Sequence, residues 1–91
     1  MQAQEIRERV KQIIANIAGL DPQRIPDEAS LRQDLKLDSL SLLEIGVDVD
    51  LAFQLELPDE CYKEVASLPA MVELVQQRLR ELATAPRAAS A

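Results

Sequence analysis

The sequence predicts an all-α fold, a small bundle of three longer helices and one short one. Three observations carry this. Segments 2–18 and 67–82 repeat apolar residues at helical spacing, segment 39–53 runs without proline, and the one weakly alternating segment, 54–57, has no partner strand.

The first helix is the clearest. Ile6, Val10, Ile13, Ile14 and Ile17 fall on one stripe, and Glu5, Arg7, Glu8, Arg9 and Lys11 lie off it. Gly19 stops the helix, because glycine takes up the left-handed C-terminal conformation most easily. Pro22 and Pro26 punctuate the long connection that follows. A connection of this length calls for a turn of its own. We place one over 30–35, pinned to the bundle by Ile25, Leu31, Leu35 and Leu37.

The central helix is predicted to start at Ser39, whose hydroxyl would cap the first turn, and to run to about Phe53. Steps of ~100° place Leu42, Ile45, Gly46, Val49 and Phe53 on a face that looks inward. Leu40, Glu44, Val47, Asp48 and Leu51 fall on the opposite face. A solvated face has no need of Leu40, Val47 and Leu51, so acid-rimmed apolar residues there suit a docking surface; the alternative is packing under a neighbouring loop. Gly46 costs ~1 kcal/mol relative to Ala in a helix interior. Two readings stay open for it: close approach of another helix, or room left between helices for a ligand chain or a neighbour's side chain.

Segment 54–57 reads as a loop ended by Pro58. Pro58 and Asp59 then start a short helix through about Val65, with Asp59 and Glu60 at its positive end. Ser67 caps the last helix, and Pro69 fits its first turn. Its stripe is Met71 or Val72, Leu74, Val75, Leu79 and Leu82, with Arg78 and Arg80 near its C-terminal end. Residues 1–83 form the domain, and 84–91, with nothing to bury, form a disordered tail.

Composition sets the outer bounds. A chain of 91 residues folds as one domain and buries about 60–65% of its unfolded surface. With Phe53 and Tyr62 its only aromatics, the core is built from Leu, Ile, Val and Ala. The net charge is −6, and residues 27–60 hold ten acids against Arg32 and Lys36. That field excludes nucleic acid and predicts partners with basic patches. There is no apolar run long enough to span a membrane and no basic-then-apolar leader, so a cytoplasmic location is expected. The lone Cys61 sits near Asp59 and Glu60, a setting for a small side chain at a helix edge rather than a reactive thiol.

Catalysis finds little support. Without histidine there is no Ser-His-Asp or Cys-His machinery, and one cysteine rules out the usual zinc sites. Asp48 and Asp50 would point some 160° apart on a helix, so no metal is expected. Ser39 has only Asp38 beside it as a base, too little to make a nucleophile. A phosphodiester on a serine at a helix start would nevertheless lie where the macrodipole favours negative charge. On these grounds Ser39 is either a cap alone or an attachment point.

DSL at mid-chain, LLEI within the acidic helix, AFQLELPDE after it, ASLRQDLKLDSL before it and SLPAMVELV at the last helix together resemble the acyl carrier protein family. The similarity runs from the first helix to about Leu82. It implies a non-catalytic carrier in which a phosphopantetheinyl transferase joins the 4'-phosphopantetheine of coenzyme A to Ser39, preceded by Asp38, with base and magnesium supplied by that enzyme. It further implies that Leu40, Glu44, Val47 and Asp50, with Ser41, Asp48 and Leu51, face the basic docking patches of acyl-transferring and condensing enzymes. Leu42, Ile45, Gly46, Val49 and Phe53, with Val65, Met71 and Leu74, would line an acyl pocket. The chain departs from the family pattern at four positions. Ser41 and Leu51 stand where acids are common, Lys36 where glycine is frequent, and Gly46 where a larger apolar residue is usual, which suggests an enlarged cavity. The paired glycines usual before the serine in peptidyl carriers are missing. The resemblance therefore points to a monomeric carrier for fatty-acid or polyketide synthesis. A peptidyl or aminoacyl carrier, or a helical adaptor with no prosthetic group, is the alternative.

Overall fold

The computed structural model describes residues 2–84. It shows four α-helices, α1 (Ala3–Ala18), α2 (Ser39–Phe53), α3 (Glu60–Lys63) and α4 (Leu68–Thr84), with a 3-10 turn at Pro22–Arg24. The expected tail over 84–91 lies outside the described residues except for Thr84, which closes α4.

Helix α1 packs against both α4 and α2, and α2 carries α3 on its flank. The apolar stripe of α1 supplies Ile6, Val10 and Ile14, all fully buried, while Ile13 and Ile17 pack at the edge of the core. At its C-terminus Gly19 has φ +71°, and its amide donates to the Ala15 carbonyl at 2.8 Å. No atom lies within 4 Å of where a Cβ would project, so backbone conformation rather than space requires glycine there.

The connection from α1 to α2 is ordered by its own bonds. Asp21 accepts from the Gln23 amide at 2.9 Å to open the 3-10 turn. The expected turn over 30–35 forms: the Asp34 and Leu35 amides donate to the Ser30 carbonyl, and the Ser30 amide donates to the Asp34 carboxylate at 2.8 Å. Ile25, Leu31 and Leu37 pin it into the core, with Leu35 half-buried. One contact carries no sequence signal. Ser30 and Ser67 form an isolated antiparallel bridge, with the Leu31 amide donating to Ala66 and the Leu68 amide to Ala29, both at 2.9 Å. A single pair of residues has no periodicity to read, yet it ties the loop before α2 to the start of α4.

Two boundaries differ from expectation. Ser39 is the first residue of α2 and not its N-cap; Asp38 is the cap, in extended conformation, its carboxylate accepting from the Ser41 amide at 2.8 Å. The short helix ends at Lys63, before Val65. The amides of Cys61, Tyr62 and Val65 donate three residues back, and that tight 3-10 pattern does not propagate far.

Candidate functional site

The site is built at the N-terminal mouth of α2. Asp38 holds the first turn, and the Ser41 amide, with Ser41's hydroxyl and the Leu40 amide helping, keeps the Asp38 carboxyl below its ordinary range. With Asp38 doing the capping, the exposed Ser39 hydroxyl is left for other partners. Arg32, carried by the preceding turn, donates from its guanidinium to the Ser39 Oγ at 3.2 Å. The backbone is brought there by Lys36 in the left-handed region, φ +56°.

Beside Ser39 lies a cavity of ≈530 Å³ lined by Arg32, Ser39, Leu40, Leu42, Leu43 and Lys63. Its lining combines three leucines with two cations, in a stretch otherwise rich in acids. The residues fit a phosphodiester at Ser39: a guanidinium already bonds the hydroxyl, a lysine also lines the cavity, and no carboxylate is among its lining residues. Arg32, Leu43 and Lys63 were not among the site residues expected from the sequence. For Arg32 a signal existed, since it and Lys36 are the two cations among ten acids in 27–60.

The two faces of α2 separate as the helical spacing predicts. Leu42, Ile45, Gly46, Val49 and Phe53 are all buried. Leu40, Val47 and Leu51 are 66%, 41% and 71% exposed, with Glu44 and Asp48 exposed beside them and Ser41 half-buried. These three are most of the large apolar residues exposed among the described residues; the other is Leu20.

Asp50, expected on the partner face, is half-buried and also bonded within the fold. Its Oδ1 accepts from the Tyr62 hydroxyl at 2.6 Å and from the Leu57 amide at 2.9 Å. Burial, and then the bond to Asp50, push the Tyr62 phenol far above the ordinary tyrosine range. Gly46 leaves room for a neighbour's side chain and not for the enlarged cavity that its departure from the family pattern suggested. A Cβ built there would meet Tyr62 Cγ at 2.7 Å and Tyr62 Cβ at 2.8 Å, so close approach of α3 is what the glycine permits. Of the other residues expected around a pocket, Val65 and Met71 are buried and Leu74 is only partly so. Among the described residues no cluster of acids, histidines or cysteines could hold a metal ion, and no helix is long and apolar enough to cross a membrane.

Comparisons with known proteins agree with this geometry. The family described as "Phosphopantetheine attachment site" matches residues 8–75. An acyl carrier protein of Rubrobacter xylanophilus is 35% identical over 75 residues, 82% of this chain and 93% of that protein. One of Guillardia theta is 32% identical, covering 87% and 98%. A non-reducing polyketide synthase of Emericella nidulans is 31% identical over 82% of this chain and 3% of its own length. In fold, the chain is similar to the acyl carrier protein of Enterococcus faecalis, with a TM-score of 0.68 at 24% identity, over 86% of this chain and 99% of that one. The chain belongs to the acyl carrier protein family, and it is an acyl carrier built around a phosphopantetheine attachment domain.

Proposed function

We propose that this protein carries acyl groups as thioesters on a 4'-phosphopantetheine joined to Ser39, and delivers them to enzymes of fatty-acid or polyketide synthesis. The observation that carries the reading is the exposed Ser39 hydroxyl at the first position of α2, bonded by Arg32 at the edge of a leucine-lined cavity. When bound, the prosthetic group supplies the thiol on which an acyl chain is held.

This chain's own residues do the rest. Arg32 and Lys63 offset the phosphodiester charge, and the positive end of α2 adds to that effect. Asp38 is committed to the Ser41 amide and is a poor base for Ser39, so activation of the hydroxyl falls to the transferase that installs the group. The protein is then a carrier and not a catalyst. Leu40, Val47 and Leu51, flanked by Glu44 and Asp48, form the surface offered to basic docking patches. Asp50, half-buried, has one carboxylate oxygen bonded to Tyr62 and Leu57.

Incubation with coenzyme A and a promiscuous phosphopantetheinyl transferase should raise the intact mass by about 340 Da, the size of the arm added as a covalent modification. Ser39→Ala should abolish the gain. A folded wild-type protein that gains no mass would refute the assignment.

A further inference from the structure

We propose that Tyr62 is a plug that shuts the seam between α2 and α3 against acyl chains, so that this carrier holds its cargo outside the helical core and is suited to short acyl groups. The inference rests on the carrier reading above.

Three observations converge on it. The inward face of α2 lacks a side chain at Gly46, and the space is not empty, since the root of the Tyr62 ring is where a Cβ would go. The ring is 2% exposed, so it fills the seam from within. Its far end is latched: the hydroxyl donates to Asp50, one helical turn beyond Gly46, and the same carboxylate oxygen takes the Leu57 amide. Tyr62 is thus held against α2 at two successive turns. Ile45 and Val49 on the same inward face of α2 are fully buried, and Met71 of α4 nearly so. The open apolar space lies next to Ser39, lined by Leu40, Leu42 and Leu43 of α2 and by Lys63 of α3, and Tyr62 is not among its lining residues. A chain attached there meets leucines first. To go deeper it must break the Asp50 latch and displace a buried ring. Glycine and tyrosine together act as a pair: the missing side chain on one helix admits the large one from the other.

The test uses a promiscuous phosphopantetheinyl transferase to move acetyl-, hexanoyl- and decanoyl-phosphopantetheine from the corresponding acyl-coenzyme A onto the Ser39 hydroxyl, with adenosine 3',5'-bisphosphate leaving, and measures the thioester half-life in hydroxylamine and the Tm of each loaded form. Wild type should show half-lives that agree within about twofold across the series and a Tm that does not climb with chain length. In Tyr62→Ala the decanoyl form should outlast the acetyl form about tenfold, the protection given by a chain that is buried nine-tenths of the time. Its Tm should rise with chain length, since a group that binds only the folded state stabilises it. Tyr62→Phe, which keeps the ring, should stay flat like wild type. Strong protection of the decanoyl form in wild type would overturn the plug, and this measurement stands even where Tyr62→Ala fails to fold. A flat series in folded Tyr62→Ala would overturn it too. Absence of any mass gain on loading would instead strike the carrier reading itself.

Discussion

Gly46 and Tyr62 should be energetically coupled, and a double-mutant cycle measures by how much. In an ordinary helix interior Gly→Ala stabilises by ~1 kcal/mol. Here the new methyl would lie 2.7 Å from Tyr62 Cγ and 2.8 Å from Tyr62 Cβ, closer than carbon atoms pack, and the obstacle is the root of a latched side chain rather than a flexible tip. Overpacking of that kind costs ~1–3 kcal/mol. At the middle of that range, Gly46→Ala in the wild-type background is destabilising by about 1 kcal/mol, a Tm loss of roughly 4–8 °C for a domain of this size. Tyr62→Ala removes the ring and the latch but keeps a Cβ, and α3 is then free to shift by a few tenths of an ångström. In that background Gly46→Ala should be neutral or slightly stabilising, which gives a coupling of about 1–2 kcal/mol. The assay is urea unfolding followed by far-UV circular dichroism. Because Tyr62→Ala alone should cost about 3–5 kcal/mol, all four proteins are compared in a stabilising osmolyte. A coupling below about 0.5 kcal/mol would refute the close-packing account of Gly46.

Three further outcomes are expected. Tyr62→Phe deletes the hydrogen bond to Asp50 but keeps the ring, and since bonds to charged groups contribute about 1.5–3 kcal/mol and Asp50 is half-exposed, urea unfolding should register a loss near about 1.5 kcal/mol. Lys36→Gly should stabilise by about 0.5–1 kcal/mol, because relief of left-handed strain outweighs the extra freedom of the unfolded chain, and a lower urea midpoint would count against it. The Asp38 carboxyl is depressed in the folded state, so its contribution is present above the unfolded value near about 4 and is lost as pH falls through the folded one; the urea midpoint of wild type should therefore drop more steeply below about pH 4 than that of Asp38→Asn, which keeps the cap without the titration.

The parts of the fold that repeat were legible, and those that depend on pairs of distant residues were not. The stripe of α1 and the inward face of α2 follow from steps of ~100°, and all five residues placed on the latter are buried. The start of α2 was misplaced by one residue because Asp and Ser cap about equally well. The choice between Asp38 and Ser39 is settled by whether the carboxylate reaches the Ser41 amide, which spacing does not reveal. Tyr62 and Asp50 lie twelve residues apart on different elements, and no periodicity links them. Gly46 could be seen to be unusual, but its meaning lay in the neighbour that covers it. At Lys36 the departure from glycine put the turn in question, and the lysine makes it by accepting positive φ.

The balance of α2 also bears on how the carrier meets its partners. A surface helix of a self-sufficient domain buries one apolar stripe and solvates the rest. Helix α2 buries five residues and still presents Leu40, Val47 and Leu51 to water. Loops do not cover them, and in the docking proposed above their apolar area is taken up by a partner, the surrounding acids favouring a basic one. Val47→Arg places a cation at the centre of that face at a half-exposed site, where the fold has little at stake. It should abolish binding to a basic partner enzyme in surface plasmon resonance while shifting the Tm by no more than a few degrees. Retained binding would mean that the partner reads the mouth of α2 around Ser39, and not the face that follows it.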